Sequence, residues 1–335
     1  MLHKSKIARN VFVLFCSFSL FANDVKETTT PMKVGTSPEW SNIYAKNRDS
    51  LTLDQIYSIL DRGIVLASKT DMVNSLSVGG TALFPHSYIT ECGDQIAAVV
   101  HASLQACKNT GKNQILLIGV LHSQTDTLKK ARQREREENI ANDPCRGIFG
   151  PGLPSEELLC KEYSLDNFVF LLEHAAKRNG IEVPNVVIRY PYLVYGQPEL
   201  LPGIEALQQL AKESIVVATG DLCHHGTAYA PFGQTPNAAD KKFPISQQGY
   251  DFAYETIEEN LRLLGGSDLL AYRKYCFDTI SDTFEVGQIL RFLLGPLEGH
   301  IRDLKLVDVS DFFKDKPQPN WVAASLVELK SKQSD

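Results

Sequence analysis

The sequence predicts an α/β fold, a mixed, mainly parallel sheet flanked by helices. Three observations carry this. Short apolar runs of strand length recur at Ala82–Phe84, Ile115–Val120 and Ile215–Ala218. Stretches of helical period stand between or before them, DQIAAVVHASLQAC after the first and PGIEALQQLAKES ahead of the third, so the order reads β-α-β-α. The connection from the first run to the second has the length of a crossover, which makes that pair parallel. Each run also stops at a side chain that can do chemistry: His86 after the first, His122 after the second, and Asp221, His224 and His225 after the third. Ligands of open α/β sheets sit beyond the carboxyl ends of the strands. Three such endings therefore predict one shared site.

Composition narrows the class. The chain has 335 residues, 43% of them apolar, enough for one large α/β domain. A net charge of −6 with dispersed Lys and Arg argues against a nucleic-acid partner, which would need a basic face. A basic start, MLHKSKIARN, precedes VFVLFCSFSLFA, an apolar run too short for a spanning helix. Residues 1–22 are therefore expected to be a signal peptide that exports the chain to the periplasm or the exterior, or an anchor if uncleaved, with no other membrane contact. Residues 23–49 read as a linker, 50–330 as a single α/β domain with an insertion at about 123–161, and 331–335 as a tail. In an oxidising compartment Cys145 and Cys160 could close a loop around GIFGPGLP, whereas Cys92, Cys107 and Cys223 lie in apolar segments and read as buried thiols.

Taken in order, LTLDQIYSILDRGIVLAS carries Leu53, Ile56, Leu60 and Ile64 at helical spacing, with Thr52 or Asp54 as its cap. The His86 turn leads into a helix that contains His101. The insertion after His122 is long and polar, read as a lid over the site or as a surface excursion. Leu165–Gly180 is a helix stopping at glycine, VPNVVIRYPYLVY a strand, and YDFAYETIEENLRLL and DLLAYRKYCFD two further helices. TISDTFEVGQILRFLLG begins with Asp282 and Glu285 three apart, the spacing of a capping pair, and WVAASLVELK closes the sheet.

Two or three imidazoles and a carboxylate delivered from separate strand ends form the ligand set of a mononuclear metal site. Neutral imidazole suits Fe, Zn, Cu and Ni, and two His with one carboxylate leave positions open for substrate. One histidine can instead carry protons, since its ordinary pKa is about 6.5. Asp221 and His224, three apart, can pair across a turn, the carboxylate orienting the ring; the alternative is an Asp that caps the turn. No GxSxG elbow, phosphate loop or dinucleotide fingerprint is present.

These residues also resemble a known family. PHSYITECG at 85–93 is similar to the PHAGYxxxG segment of the Memo family, which includes AmmeMemoRadiSam system protein B; IGVLHS resembles its GPSHH strand end, TGDLCHHG its SSDFCHWG turn, and YCFDTISDTFEVGQIL its YxxTICGRxPIGVL segment. The likeness runs from about Ser77 to Lys330. It implies the fold of class III extradiol ring-cleavage dioxygenases, whose non-haem Fe(II) is held by two His and a Glu. Carried over, His86 and His122 match the histidine ligands, and Asp221 and His224 the catalytic pair beside the metal, His224 as the acid/base. The third position departs from the pattern: Ser281 stands where the family has cysteine, leaving Ser281, Asp282 or Glu285 for that place, while capping explains the last two without a metal. Thr283 and Phe284 replace the arginine and histidine that follow, and Tyr163 and Phe168 replace histidines in EYSLDNF.

What the resemblance implies is a metal-binding protein, Fe(II) first with Zn or Cu as alternatives. It would act in oxygen- or redox-linked chemistry on a small molecule. The contrasting expectation is a metal-free relative that binds a small molecule or peptide without catalysis.

Overall fold

The computed structural model describes residues 39–122, 125–135, 140–160, 162–229 and 243–332. The leader and its expected export signal lie outside them. Among the described residues no helix is long and apolar enough to cross a membrane.

The apolar runs do form strands: β1 at Thr81–Phe84, β2 at Gln114–Ile118, β4 at Asn185–Tyr192 and β5 at Ile215–Thr219. They align in the order β4-β2-β5-β1 and all run parallel. Antiparallel strands complete the sheet on both sides. β3 (Gly147–Phe149) joins β4, while β8 (Trp321–Ser331) joins β1 and is paired along its length by β7 (Leu297–Asp308). The two-residue β6, His224–His225, pairs with the start of β8 beyond the end of β1.

Alternation along the strands sorts side chains to two faces. Ala82, Phe84, Ile115, Leu117, Ile215 and Val217 pack on one core, against α2 (Leu53–Ala67), α4 (Ile89–Thr110) and α6 (Asp166–Asn179). Leu83, Leu116, Ile118, Val216 and Ala218 pack on the other, against α7 (Ile204–Glu213), α8 (Gln247–Leu264), α9 (Leu269–Asp278) and α10 (Val286–Leu294). The chain runs outward from β1 through β2 to β4 with helices on the first face, then returns through α7 on the second face to place β5 between β2 and β1. This reversal is the switch point at which α/β sheets open a crevice. The carboxyl ends of β1, β2 and β5 converge there.

Several expectations change. The linker assigned to 23–49 ends earlier, because Trp40–Asp49 forms helix α1 and sinks Tyr44 into the first core, with Trp40 stacked on it at 5.7 Å. Among the described residues the domain therefore includes Trp40–Asp49. The insertion at 123–161 is largely built into the body rather than laid over the site. Its helix α5 (Asp126–Glu135) buries Leu128, Ala131 and Glu135, and its strand β3 extends the sheet. Cys145 and Cys160 are both free thiols, the first buried and the second exposed. Strand β7 gives little sequence signal, since only Asp303 to Leu306 alternates and a bulge near Ile301 and Asp303 breaks the pattern.

His225 belongs to the core. It is 1% exposed, stacks on Trp321 at 4.8 Å, and its Nε2 accepts the Phe243 N–H at 3.1 Å. Burial lowers its pKa to about 4. A histidine that stays neutral in the fold but protonates when unfolded costs stability as pH falls from about 6.5 toward 4. Replacing it by leucine should destabilise the protein at pH 7.5. That gap should shrink by about 2 kcal/mol at pH 5, the equivalent of roughly 1.5 pH units, and urea unfolding of both proteins at the two pH values measures it.

Candidate metal centre

Each strand end delivers its residue through a short, specific connection. β1 ends at Phe84, and His86 turns inward two residues later, 4% exposed. β2 ends at Ile118, and His122 follows after Gly119, Val120 and Leu121, all held under the sheet end. β5 ends at Thr219; Gly220 then permits a close approach, since a Cβ there would lie 2.3 Å from Thr283 Cγ2 and 3.2 Å from Asp282 Oδ1. Asp221 follows, 2% exposed.

The remaining member arrives from the far side of the second core. Helix α9 closes with a turn in which the Ser281 N–H donates to the Cys276 carbonyl at 2.8 Å, while Ile280 adopts the left-handed conformation at φ 55°. Glycine normally takes that place, and a β-branched residue there costs about 1–2 kcal/mol. The strained carbonyl of Ile280 accepts the His224 Nδ1–H at 2.6 Å. Just beyond, Asp282 docks on the end of β5. Its Oδ1 accepts the Asp221 N–H at 2.7 Å, and its own N–H donates to the Asp221 carbonyl at 3.2 Å.

The three imidazoles share one arrangement. His86 Nδ1 faces Thr219 Oγ1 at 3.3 Å, and because that hydroxyl spends its proton on the Phe84 carbonyl, the ring nitrogen must donate. His122 Nδ1 lies 3.1 Å from the Glu162 carboxylate, which also accepts the His122 N–H at 2.7 Å. His224 Nδ1 faces a carbonyl. Every Nδ1 is thus a donor, which in the neutral ring leaves the Nε2 lone pair free. Fixing the tautomer through the outer nitrogen is how proteins prepare histidines for metal. Among the described residues two groups bring ligand atoms within 4.8 Å of one another, His86 with His122 and Asp282, and Asp221 with His224 and Asp282. The first is a two-histidine, one-carboxylate set.

Electrostatics follow from burial. His86 Nε2 lies 3.2 Å from Asp282 Oδ2 and 3.6 Å from Asp221 Oδ2. Burial alone would lower the pKa of His86, but Asp221 and Asp282 raise it to about 9. The two carboxylates part ways. Burial would raise Asp282 too, yet the His86 charge and hydrogen bond hold it below the usual range, whereas burial outweighs its neighbours at Asp221 and lifts it. Asp221 Oδ1 is buried with no hydrogen-bond partner. Glu162 is also held low, its burial outweighed by His122 and by backbone N–H donors. Around this cluster stand four tyrosines. Tyr163 stacks on His122 at 4.5 Å, Tyr229 lies tilted against His224 at 4.7 Å, and Tyr44 contacts both Tyr163 and Tyr88. Burial raises all four phenols, so they stay protonated as donors.

The structure brings together His86, His122, Asp221 and His224 and adds Asp282 from the three residues considered for the third position. Ser281 does not compete, because its hydroxyl pairs with Thr283 Oγ1 at 2.8 Å and caps the following turn through the Thr283 N–H. Glu285 is elsewhere engaged. Its carboxylate accepts the Leu193 and Val194 N–H groups at 3.0 and 2.7 Å and pairs with Arg132 at 2.6 Å. Neither acidic residue caps a helix as their spacing suggested. Glu162 joins the candidate site without a local sequence signal, since its link to His122 spans 40 residues. No family model matches the chain, and no curated protein matches it.

Loss of Glu285 leaves the buried Leu193 and Val194 N–H groups without their acceptor, while Arg132, held between the Tyr192 and Phe284 rings at 4.3 and 4.7 Å, keeps its pair with Glu135. Glu285→Ala should lower unfolding free energy by about 2–4 kcal/mol, the cost of two buried donors left unpaired. Metal stoichiometry should stay unchanged in the fraction that remains folded at low temperature; chemical denaturation and metal analysis of the same preparation check both halves.

Proposed function

We propose that this chain is a Memo-like metal-binding protein whose centre is His86, His122 and Asp282, working in redox- or oxygen-linked chemistry on a small molecule. The observation that carries the reading is the common orientation of the histidines, with each Nδ1 committed as a donor, which makes Nε2 the ligand atom once the His86 Nε2 proton facing Asp282 is displaced. Donors of this kind suit Fe(II), with Zn and Cu as alternatives, and two histidines with one carboxylate leave coordination positions for substrate. A bound ion would supply Lewis acidity or electrons to a coordinated small molecule. The basic leader fits an exported protein.

The protein groups have separate tasks. Glu162 fixes the His122 ring from behind and raises its basicity as a ligand. His224, held by the Ile280 carbonyl, has Nε2 free to take or give a proton, and Asp221 beside it is the carboxyl that most readily holds one. The protonated phenols of Tyr44, Tyr163 and Tyr229 offer hydrogen bonds to an oxygen-bearing substrate. Tyr163 also blocks one face of His122.

One observation favours a second reading, a metal-free binding protein. His86 paired with Asp282 and Asp221 already balances part of the buried charge without an ion. Untagged protein reconstituted anaerobically with Fe(II) decides between them. His86→Ala, His122→Ala and Asp282→Ala should each remove the metal from this centre, and Glu162→Gln should weaken binding about 10–100-fold. Metal content that is negligible in the wild type, or indifferent to these substitutions, sinks the first reading. In the Fe(II) form, catechols added without oxygen should perturb the metal's spectrum, and a flat response removes ring cleavage from the chemistries considered.

A further inference from the structure

The two ligand groups share Asp282, and only one of them is used by the reading above, on which this inference rests. We propose that the centre accepts a second divalent cation, held by Asp221, His224 and the same Asp282. The ligand atoms of this second group lie within 4.8 Å of one another, as those of the first do. Asp282 has an oxygen for each side, Oδ2 facing His86 and Oδ1 facing the Asp221 backbone. A carboxylate shared in this way is the usual bridge of two-metal sites, whose ions stand about 3.5–4 Å apart.

An independent observation points to the same place. Asp221 Oδ1 is buried, in a side chain only 3% exposed, and has no hydrogen-bond partner. A buried carboxylate oxygen left without a donor is costly, and a hard cation satisfies it. Loading the first position sharpens the need. An ion bound by His86 takes the very nitrogen that faces Asp221 at 3.6 Å, so the ring no longer offers Asp221 a proton. Three largely buried carboxylates, Asp221, Asp282 and Glu162, then stand around one divalent charge. A second ion balances them, with the His224 Nε2 as its nitrogen ligand.

Occupancy has a functional consequence. An ion on His224 Nε2 removes the lone pair that would carry protons, so the second cation inhibits chemistry that depends on His224 while leaving the first centre intact. Excess metal then acts as an off-switch built into the site.

Titration of chelator-stripped, untagged protein with Zn(II), read by calorimetry and by metal analysis after dialysis, tests this. The wild type should bind two equivalents. Asp221→Asn and His224→Gln, each checked for an unchanged circular dichroism spectrum, should bind one, and Asp282→Ala should lose both. A single equivalent in the wild type that disappears in His86→Ala and is untouched by His224→Gln overturns the second site and leaves the first standing. Two equivalents that both survive Asp221→Asn and His224→Gln also overturn it. No Zn(II) or Fe(II) binding at all overturns both readings.

Discussion

The carboxylate of Asp282 is the tie on which the centre depends. It closes one hydrogen bond to the backbone of Asp221 at the end of β5 and reaches the His86 ring at the end of β1, so a residue from the far end of α9 fastens two neighbouring strand ends. Breaking that tie would do more than free one carboxylate. The Ile280 carbonyl that orients His224 sits two residues earlier in the same turn, and Ser281 between them caps the next one. One short segment therefore positions the Asp282 carboxylate, the His224 ring and a chain reversal. The left-handed Ile280 is the strain that this crowding imposes, and strain of that kind persists only where the surroundings over-determine it.

That segment is held from outside by a second group of charges. Glu285, three residues beyond Asp282, takes two backbone N–H groups from the turn after β4 and pairs with Arg132 on α5; Arg132 and Arg273 both pair with Glu135. The insertion after β2 and the helix that carries the site are thus clamped through buried ion pairs. Buried pairs of this kind add little net stability over apolar packing, but they punish any rearrangement that separates them. Their position fits fixing where α10 begins rather than strengthening the core.

How much of this was legible in the sequence follows from the range of the interactions. The strands and the convergence of His86, His122, Asp221 and His224 could be read because apolar runs and their endings are local, and parallel order then brings the endings to one edge. Asp282 and Glu285 could not be told apart, since both fit a local capping spacing and their partners lie some 60 and 90 or more residues away. Glu162 was hidden for the same reason, as its link to His122 spans 40 residues. Strand β7 was obscured by a bulge, and α1 by a polar sequence whose one deeply buried aromatic, Tyr44, gives no periodic signal.

Ser281 is where pattern and physics diverge most. A serine in place of a cysteine ligand reads, from sequence, as a site that has lost its third donor. In the fold the serine turns inward to Thr283 while the next residue supplies a carboxylate at the strand ends. A carboxylate in that place presents two oxygens, donors that favour harder ions than sulfur does. Its two oxygens let Asp282 face the His86 ring on one side and the backbone of Asp221 on the other.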